Sequence, residues 1–195
     1  MTPNHDIHPH VAAWKWQFEV YHPGLVGCLP AVKQFCSAVL HGRTADQGRW
    51  LSLLGPSGVG KTYLLSQAMA CLEDAASRRL WKIPRQSGFR GPQIAHIRPA
   101  EDLTDWKAPT DYAKYDLIYI EDIGSGSDMD RGAGAVVRSR TAELLQLRSQ
   151  KWTMIDANLY RSDIERQIDG RIASRLKRHN SWCVEIPADV PDYFG

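Results

Sequence analysis

Eight residues set the first limit on this chain. Gly55-Pro56-Ser57-Gly58-Val59-Gly60-Lys61-Thr62 follows the apolar run Trp50–Leu54 and leads directly into a stretch of good helix formers. The spacing Gly-x-x-x-x-Gly-Lys-Thr is the complete phosphate-loop signature. Its glycines let backbone N–H groups converge on an anion without Cβ obstruction. The following helix adds the positive end of its dipole. Lys61 is then expected to reach the β- and γ-phosphates of a nucleotide, and the Thr62 hydroxyl to ligate Mg2+. Pro56, Ser57, Val59 and Tyr63 complete the expected nucleotide-binding set.

The rest of the chain reads as repeated strand-then-helix. Lys61–Asp74 carries an inward stripe of Leu64, Leu65, Ala68, Met69 and Leu72. Strands are expected at Trp50–Leu54, Ile94–Ile97, Asp116–Glu121, Thr153–Ala157 and Trp182–Ile186, and helices at Ala135–Gln150, Ser162–Ile168 and Arg171–Arg178. That alternation implies a parallel five-stranded sheet flanked by helices, an α/β fold of the P-loop NTPase kind. With 195 residues, 43% of them hydrophobic, the chain can bury one substantial core. Residues 81–92, with Pro84, Gly88, Gly91 and Pro92, read as a loop. The expected division is 1–47, an N-terminal arm, extended segment and helix, and 48–195, the nucleotide-binding core. Residues 1–12 read as a loose arm, and Trp14–Val20 alternates apolar and polar residues as a strand does. Pro30 opens a helix whose stripe is Val32, Phe35, Cys36, Val39 and Leu40.

A phosphate loop needs an acidic partner. Leu117-Ile118-Tyr119-Ile120-Glu121-Asp122 ends an apolar strand in two carboxylates, a Walker B pattern. Glu121 is expected to hold the Mg2+ shell and Asp122 to polarise the attacking water. The order Glu-Asp is unusual, and the shorter acid at the water position points to slow turnover. Taken alone, the same pair also suits a turn capping a core strand. Asn158 ends the strand Thr153–Ala157, where an amide orients water against the γ-phosphate or caps a turn. Arg171 and Arg175 stand four apart on one helical face. They serve salt bridges at home or reach into a neighbouring copy's γ-phosphate.

This ordered series, the phosphate loop with "LIYIEDIG", "TMIDANL" and "GRIASRL", resembles the AAA+ ATPases of the initiator clade over residues 48–187. The nearest likeness is to DnaC-type helicase loaders and to the ATPase subunits of IstB-type transposition. The resemblance implies ATP and Mg2+ as cofactors, Asn158 as sensor 1, and Arg171 and Arg175 as box VII arginines. It further implies head-to-tail self-assembly, contact with single-stranded DNA, and a replicative helicase or transposase as partner. The chain stops soon after its last strand, so no C-terminal lid domain is expected, as in lidless loaders. Two other classes stay open: an ATP-gated switch that scarcely hydrolyses, and a P-loop small-molecule kinase.

Charge and composition narrow the setting. The net charge is only +2, but residues 101–130 hold nine acids against two lysines, and residues 131–179 hold eleven Lys/Arg against five acids. Complementary faces between copies would use such a split. Arg131, Arg138, Arg140, Arg148 and Lys151 are the candidate DNA contacts, each with a solvated helix face as the alternative. Trp14, Trp16 and Phe18 form an aromatic row that packs on the domain or stacks on a partner. His5, His8 and His10 read as part of a flexible leader. The four cysteines form no CxxC pair and suit a reducing compartment. With no apolar run long enough for a bilayer and no secretory h-region, a cytoplasmic location without membrane contact is expected.

Overall fold

The computed structural model describes residues 7–17, 23–42, 49–85, 88–103, 108–124, 132–177 and 181–191. Five strands form the sheet: β1 Trp50–Leu54, β4 Ile94–Ile97, β5 Leu117–Ile123, β6 Trp152–Ala157 and β7 Trp182–Glu185. Their order is β4-β5-β6-β1-β7, and every neighbouring pair is parallel. All five residues of β1 and all six of β6 are buried, because helices cover both faces. The alternation of side chains still sorts the core. Leu51, Leu53, Tyr119 and Met154 face one layer, with α2 (Leu29–Leu40) and α3 (Lys61–Ser77). Trp50, Leu54, Ile118, Ile120 and Ile155 face the other, with α6 (Gly132–Leu147), α7 (Arg161–Gln167) and α8 (Gly170–Leu176).

The five expected strands and the main helices are present, with ends shifted by a few residues. Three expectations change. Residues 81–92 hold a small antiparallel hairpin, β2 Ile83–Arg85 with β3 Gly88–Arg90. Its three-residue strands are too short to leave a periodic signal. It is tied to the start of β5 by a two-pronged ion pair from Arg90 to Asp116, whose Nη2 to Oδ1 distance is 2.7 Å. Two short helices, α4 Pro99–Asp102 and α5 Pro109–Ala113, also went unread; each starts on a proline, which suits a first helical turn.

The arm is the second correction. Pro9–Ala13 is a helical turn, α1, with Val11 fully buried. His8 caps it, accepting from the His10 N–H at 3.2 Å, and its own N–H donates to Ser37 Oγ at 3.0 Å. His10 Nε2 lies 3.0 Å from the Cys71 carbonyl oxygen. These histidines are therefore pinned to α2 and α3, while His5 lies outside the described residues. Among the described residues no cluster of His, Cys, Asp or Glu could hold a metal ion. Residues 14–17 join no sheet: Trp14 and Trp16 fold back onto the core, and the Trp16 indole donates to the Val11 carbonyl at 3.2 Å. Phe18–Val20 lie outside the described residues. Cys28, Cys36 and Cys71 are buried and all four thiols are free. Burial pushes Cys28 up to about 11, as befits packing rather than reactive sulfur. No helix among the described residues is long and apolar enough to cross a membrane.

The third correction concerns charge. Arg148 is fully buried. Its guanidinium donates to the carbonyls of Tyr115 at 2.9 Å and Trp152 at 2.5 Å, and to Thr153 Oγ1 at 3.1 Å. It buckles the end of α6 to β6 and to the turn after α5, and cannot reach DNA. Burial lowers its pKa to about 9, opposed by Asp116. Lys151 is half-buried and donates to the Lys114 carbonyl at 3.3 Å, and Arg140 donates to that of Leu103 at 3.5 Å. Arg138 is half-buried and Arg131 lies outside the described residues. Replacing Arg148 strands at least two buried carbonyls, at roughly 1–3 kcal/mol each. Arg148→Met is therefore expected to lower the unfolding free energy by about 3 kcal/mol, read from urea denaturation; an unchanged midpoint would refute the buckle.

Candidate functional site

β1 delivers the chain to the carboxyl edge of the sheet, where the loop turns back into α3. Gly55 enters with φ +138°, and its N–H donates to the Ala157 carbonyl at 3.2 Å. A Cβ here would come within 2.7 Å of the Ile186 carbonyl oxygen, so only glycine fits between β6 and the end of β7. Gly58 and Gly60 are left-handed, at φ +75° and +89°. Gly60 is the residue before α3, and Val59 beside it is buried, anchoring the loop in the core.

Lys61 opens the helix with only 5% of its surface exposed. An ammonium has three donors, and all three are used. Nζ donates to Gly55 O at 3.0 Å, to Pro56 O at 2.5 Å and to Asn158 Oδ1 at 3.0 Å. Burial lowers its pKa, and the charges of Asp156 and Asp122 oppose that shift. Asn158 stands just past β6, the neighbour of β1, and passes the link on: its Nδ2 donates to Asp122 Oδ1 at 2.6 Å. A continuous chain of hydrogen bonds therefore runs from Lys61 through Asn158 to Asp122.

Asp122 sits on an irregularity. The register of β5 against β6 shifts between Ile120 and Ile123, and Asp122 takes φ +64°, a conformation rare outside glycine. Its side chain is exposed at the edge while Glu121 and Ile123 on either side are buried. Gly124 follows at φ +85°, where a Cβ would strike Leu159 at 2.5 Å.

The acid the sequence reading passed over is Asp156. It lies within β6 with 1% of its surface exposed. Three donors converge on it: Thr62 Oγ1 at 2.8 Å, the Tyr119 hydroxyl at 2.6 Å and the backbone N–H of Asp122. Burial raises its pKa, and the three hydrogen bonds oppose the rise. Burial, reinforced by the Asp156 charge, pushes the Tyr119 hydroxyl far up, so it stays a proton donor. An acid inside the otherwise apolar run "TMIDA" was the available signal, since a lone carboxylate is rarely buried without partners.

Glu121 goes elsewhere. Its carboxylate is 6% exposed and takes Arg98 Nη2 on Oε1 at 3.1 Å, while His96 Nε2 lies 2.6 Å from Oε2. His96 in turn stacks on Tyr119 at 4.5 Å between centroids. The Thr62 hydroxyl is thus aligned by Asp156 of β6, and Glu121 is shared between the Arg98 guanidinium and the His96 ring near β4.

The two arginines stand apart from this cluster. Arg171 is exposed and pairs with Asp169, the cap of α8, through Nε at 3.3 Å and Nη2 at 3.0 Å. That partner raises its pKa. Arg175, one turn on, is half-buried, and its Nη1 is buried without a hydrogen-bond partner. No hydrogen bond or ion pair among the described residues joins either arginine to the loop. Of the other loop positions, Ser57 is exposed, Pro56 half-exposed, and Tyr63 packs partly on the core.

No family model and no curated protein matches the chain. Solved structures do. The chain is similar to DnaI, at 18% identity and TM-score 0.52, over 85% of this chain and 84% of that one. It is similar to the DnaC helicase loader, at 14% identity and TM-score 0.53, over 82% and 90%. It is also similar to domain III of the Thermotoga maritima replication initiation protein DnaA, at 14% identity and TM-score 0.56, over 94% and 70%. These are AAA+ proteins of the initiator clade, and the chain has their α/β P-loop fold.

The two acids separate in one titration. Asp156→Asn is expected to cut the Mg2+-dependent gain in affinity for a fluorescent ATP analogue about tenfold, the worth of one charge-assisted hydrogen bond. Glu121→Gln is expected to change it less than about threefold. The reverse ranking would return the metal-side role to Glu121.

Proposed function

We propose that this chain is an AAA+ ATPase that binds Mg-ATP at Gly55–Thr62, assembles head-to-tail on single-stranded DNA, and loads or remodels a replicative helicase or transposition complex. The observation that supports it best is Lys61: a nearly buried ammonium, fully bonded to two loop carbonyls and to Asn158. The donor set fits a nucleotide triphosphate. A bound Mg-ATP supplies the anhydride to be cleaved and the divalent charge that offsets its phosphates. The loop N–H groups and the start of α3 bind the phosphates, and Lys61 exchanges its carbonyls for them. Thr62, aligned by Asp156, holds the metal side. Asp122 accepts the proton of the attacking water, and Asn158 keeps that carboxylate oriented. Glu121 lends its charge from an outer position, clasped by Arg98 and His96.

In this reading Arg175 completes the site in trans: its Nη1, buried and unpartnered in its own subunit, has no bond to give up and must turn outward to meet a neighbour's γ-phosphate. Head-to-tail contacts of this kind are heterologous and close into rings or run on as helices. The partner class rests on the likeness to the DnaC helicase loader and to DnaA domain III. A second reading, an ATP-gated switch with little hydrolysis, draws on Asp122, one methylene shorter than glutamate and already tied to Asn158.

Lys61→Ala is expected to abolish nucleotide binding, or at least nucleotide-dependent assembly on a sizing column. Arg175→Ala should keep ATP affinity while phosphate release falls about a thousandfold, as for a lost arginine finger. Mixing the two variants should restore part of the turnover, because each supplies what the other lacks; a mixture as inactive as its parts would contradict a shared site. Tight ATP binding with assembly but no phosphate release in wild type would select the switch. Recovery of a replicative helicase or of a transposase in an ATP-dependent pull-down decides the partner.

A further inference from the structure

The most one-sided charge in the chain lies away from the nucleotide loop. Residues 75–100 contain Arg78, Arg79, Lys82, Arg85, Arg90 and Arg98 and no acid. Three of the six are neutralised by carboxylates: Arg78 meets Asp74 at 2.6 Å, Arg90 meets Asp116, and Arg98 meets Glu121. Arg79 and Lys82 have no ion pair among the described residues. They flank a cleft of about 490 Å³ between the end of α3 and the β2–β3 hairpin, lined by Ser77, Trp81, Phe89 and Arg90 as well.

Phe89 makes this cleft unusual. It stands on β3 with 70% of its surface exposed, more than any other large apolar side chain among the described residues. The Lys82 ammonium lies 6.0 Å from its ring centroid. The platform beneath is fixed: Trp81 is buried and Arg90 is clamped to Asp116. Arg79 is held in the left-handed conformation, φ +58°, at the end of α3. There the Leu80 N–H closes back on the Ala75 carbonyl at 2.9 Å, a turn that favours glycine at the Arg79 position. An arginine at a position that favours glycine, a largely exposed aromatic ring and a nearby ammonium form the pairing that takes a base on the ring and phosphates on the cations.

We propose that the β2–β3 hairpin and the end of α3 bind single-stranded nucleic acid, with a base stacked on Phe89 and adjoining phosphates on Arg79 and Lys82. The surface lies at the opposite end of α3 from Lys61, about 25 Å away for a 17-residue helix, so it is separate from the nucleotide site. The choice of occupant rests on the DNA-contact element of the proposed function; the location does not. An acidic protein segment would use the two cations but leave the ring without a role.

The test is fluorescence anisotropy of a labelled oligothymidine with the full chain, with and without Mg-ATP. Phe89→Ala should weaken binding about tenfold and Phe89→Trp should restore it. Being exposed, the residue can change without unfolding the domain. The Arg79→Ala/Lys82→Ala double variant should flatten the slope of log affinity against log salt by about 1.4, some 0.7 per lost phosphate contact. Binding of a fluorescent ATP analogue should be unchanged in all three. Equal oligonucleotide affinity for wild type and Phe89→Ala would overturn this surface alone. Polyglutamate competing as well with Phe89→Ala as with wild type, at equal oligonucleotide affinity, would reassign it to an acidic partner. No binding of oligothymidine by wild type in either nucleotide state would remove the DNA element of the proposed function together with the surface.

Discussion

A charged ammonium set at the dry edge of a sheet organises this structure. Burying Lys61 is costly unless each of its three donors has an acceptor. Two acceptors are carbonyls of the loop itself, exposed inward because glycines turn the backbone there. The third is Asn158, which can stand beside the loop only because β6 pairs with β1 in parallel, Leu54 opposite Ala157. The same register lets the Gly55 N–H close on Ala157 and brings Ile186 against Gly55. Sheet order, glycine placement and the position of Asn158 thus answer to one desolvated cation. An anion entering the loop would relieve it.

Asp156 carries the complementary constraint. It projects toward the α3 layer as Met154 does, two residues earlier. The hydroxyl of Tyr119, opposite Met154, reaches it from β5, and Thr62 reaches it from the first turn of α3. The bulge at Asp122 brings a backbone N–H to the same carboxylate and sends the Asp122 side chain out to Asn158. One strained residue therefore links the buried Asp156 carboxylate to the lysine chain. Strain of this kind persists where surrounding contacts over-determine it, and sites of chemistry are where it collects.

Much of this could be read from residues in order. A phosphate loop between an apolar strand and a helix is a local pattern, and so are the continuous apolar runs of β1, β5 and β6. What escaped depended on tertiary partners. Asp156 was hidden because a reading of strand ends looks past an acid at the next-to-last strand position. Arg148 counted as surface charge because the carbonyls that take it come from Tyr115 and Trp152, on segments distant in sequence or across a turn. The aromatic alternation of Trp14 and Trp16 suggested a strand, but their rings close over the turn capped by His8. The hairpin was too short for periodicity and was dominated by its Pro and Gly.

The most direct measurement is a crystal structure of the full chain with Mg2+ and a non-hydrolysable ATP analogue. The account predicts a triphosphate in the loop 55–62, with Lys61 Nζ moved from the Gly55 and Pro56 carbonyls onto phosphate oxygens, and the Thr62–Asp156 hydrogen bond kept. Nucleotide bound elsewhere, or a loop still closed on Lys61 at saturating analogue, would contradict it.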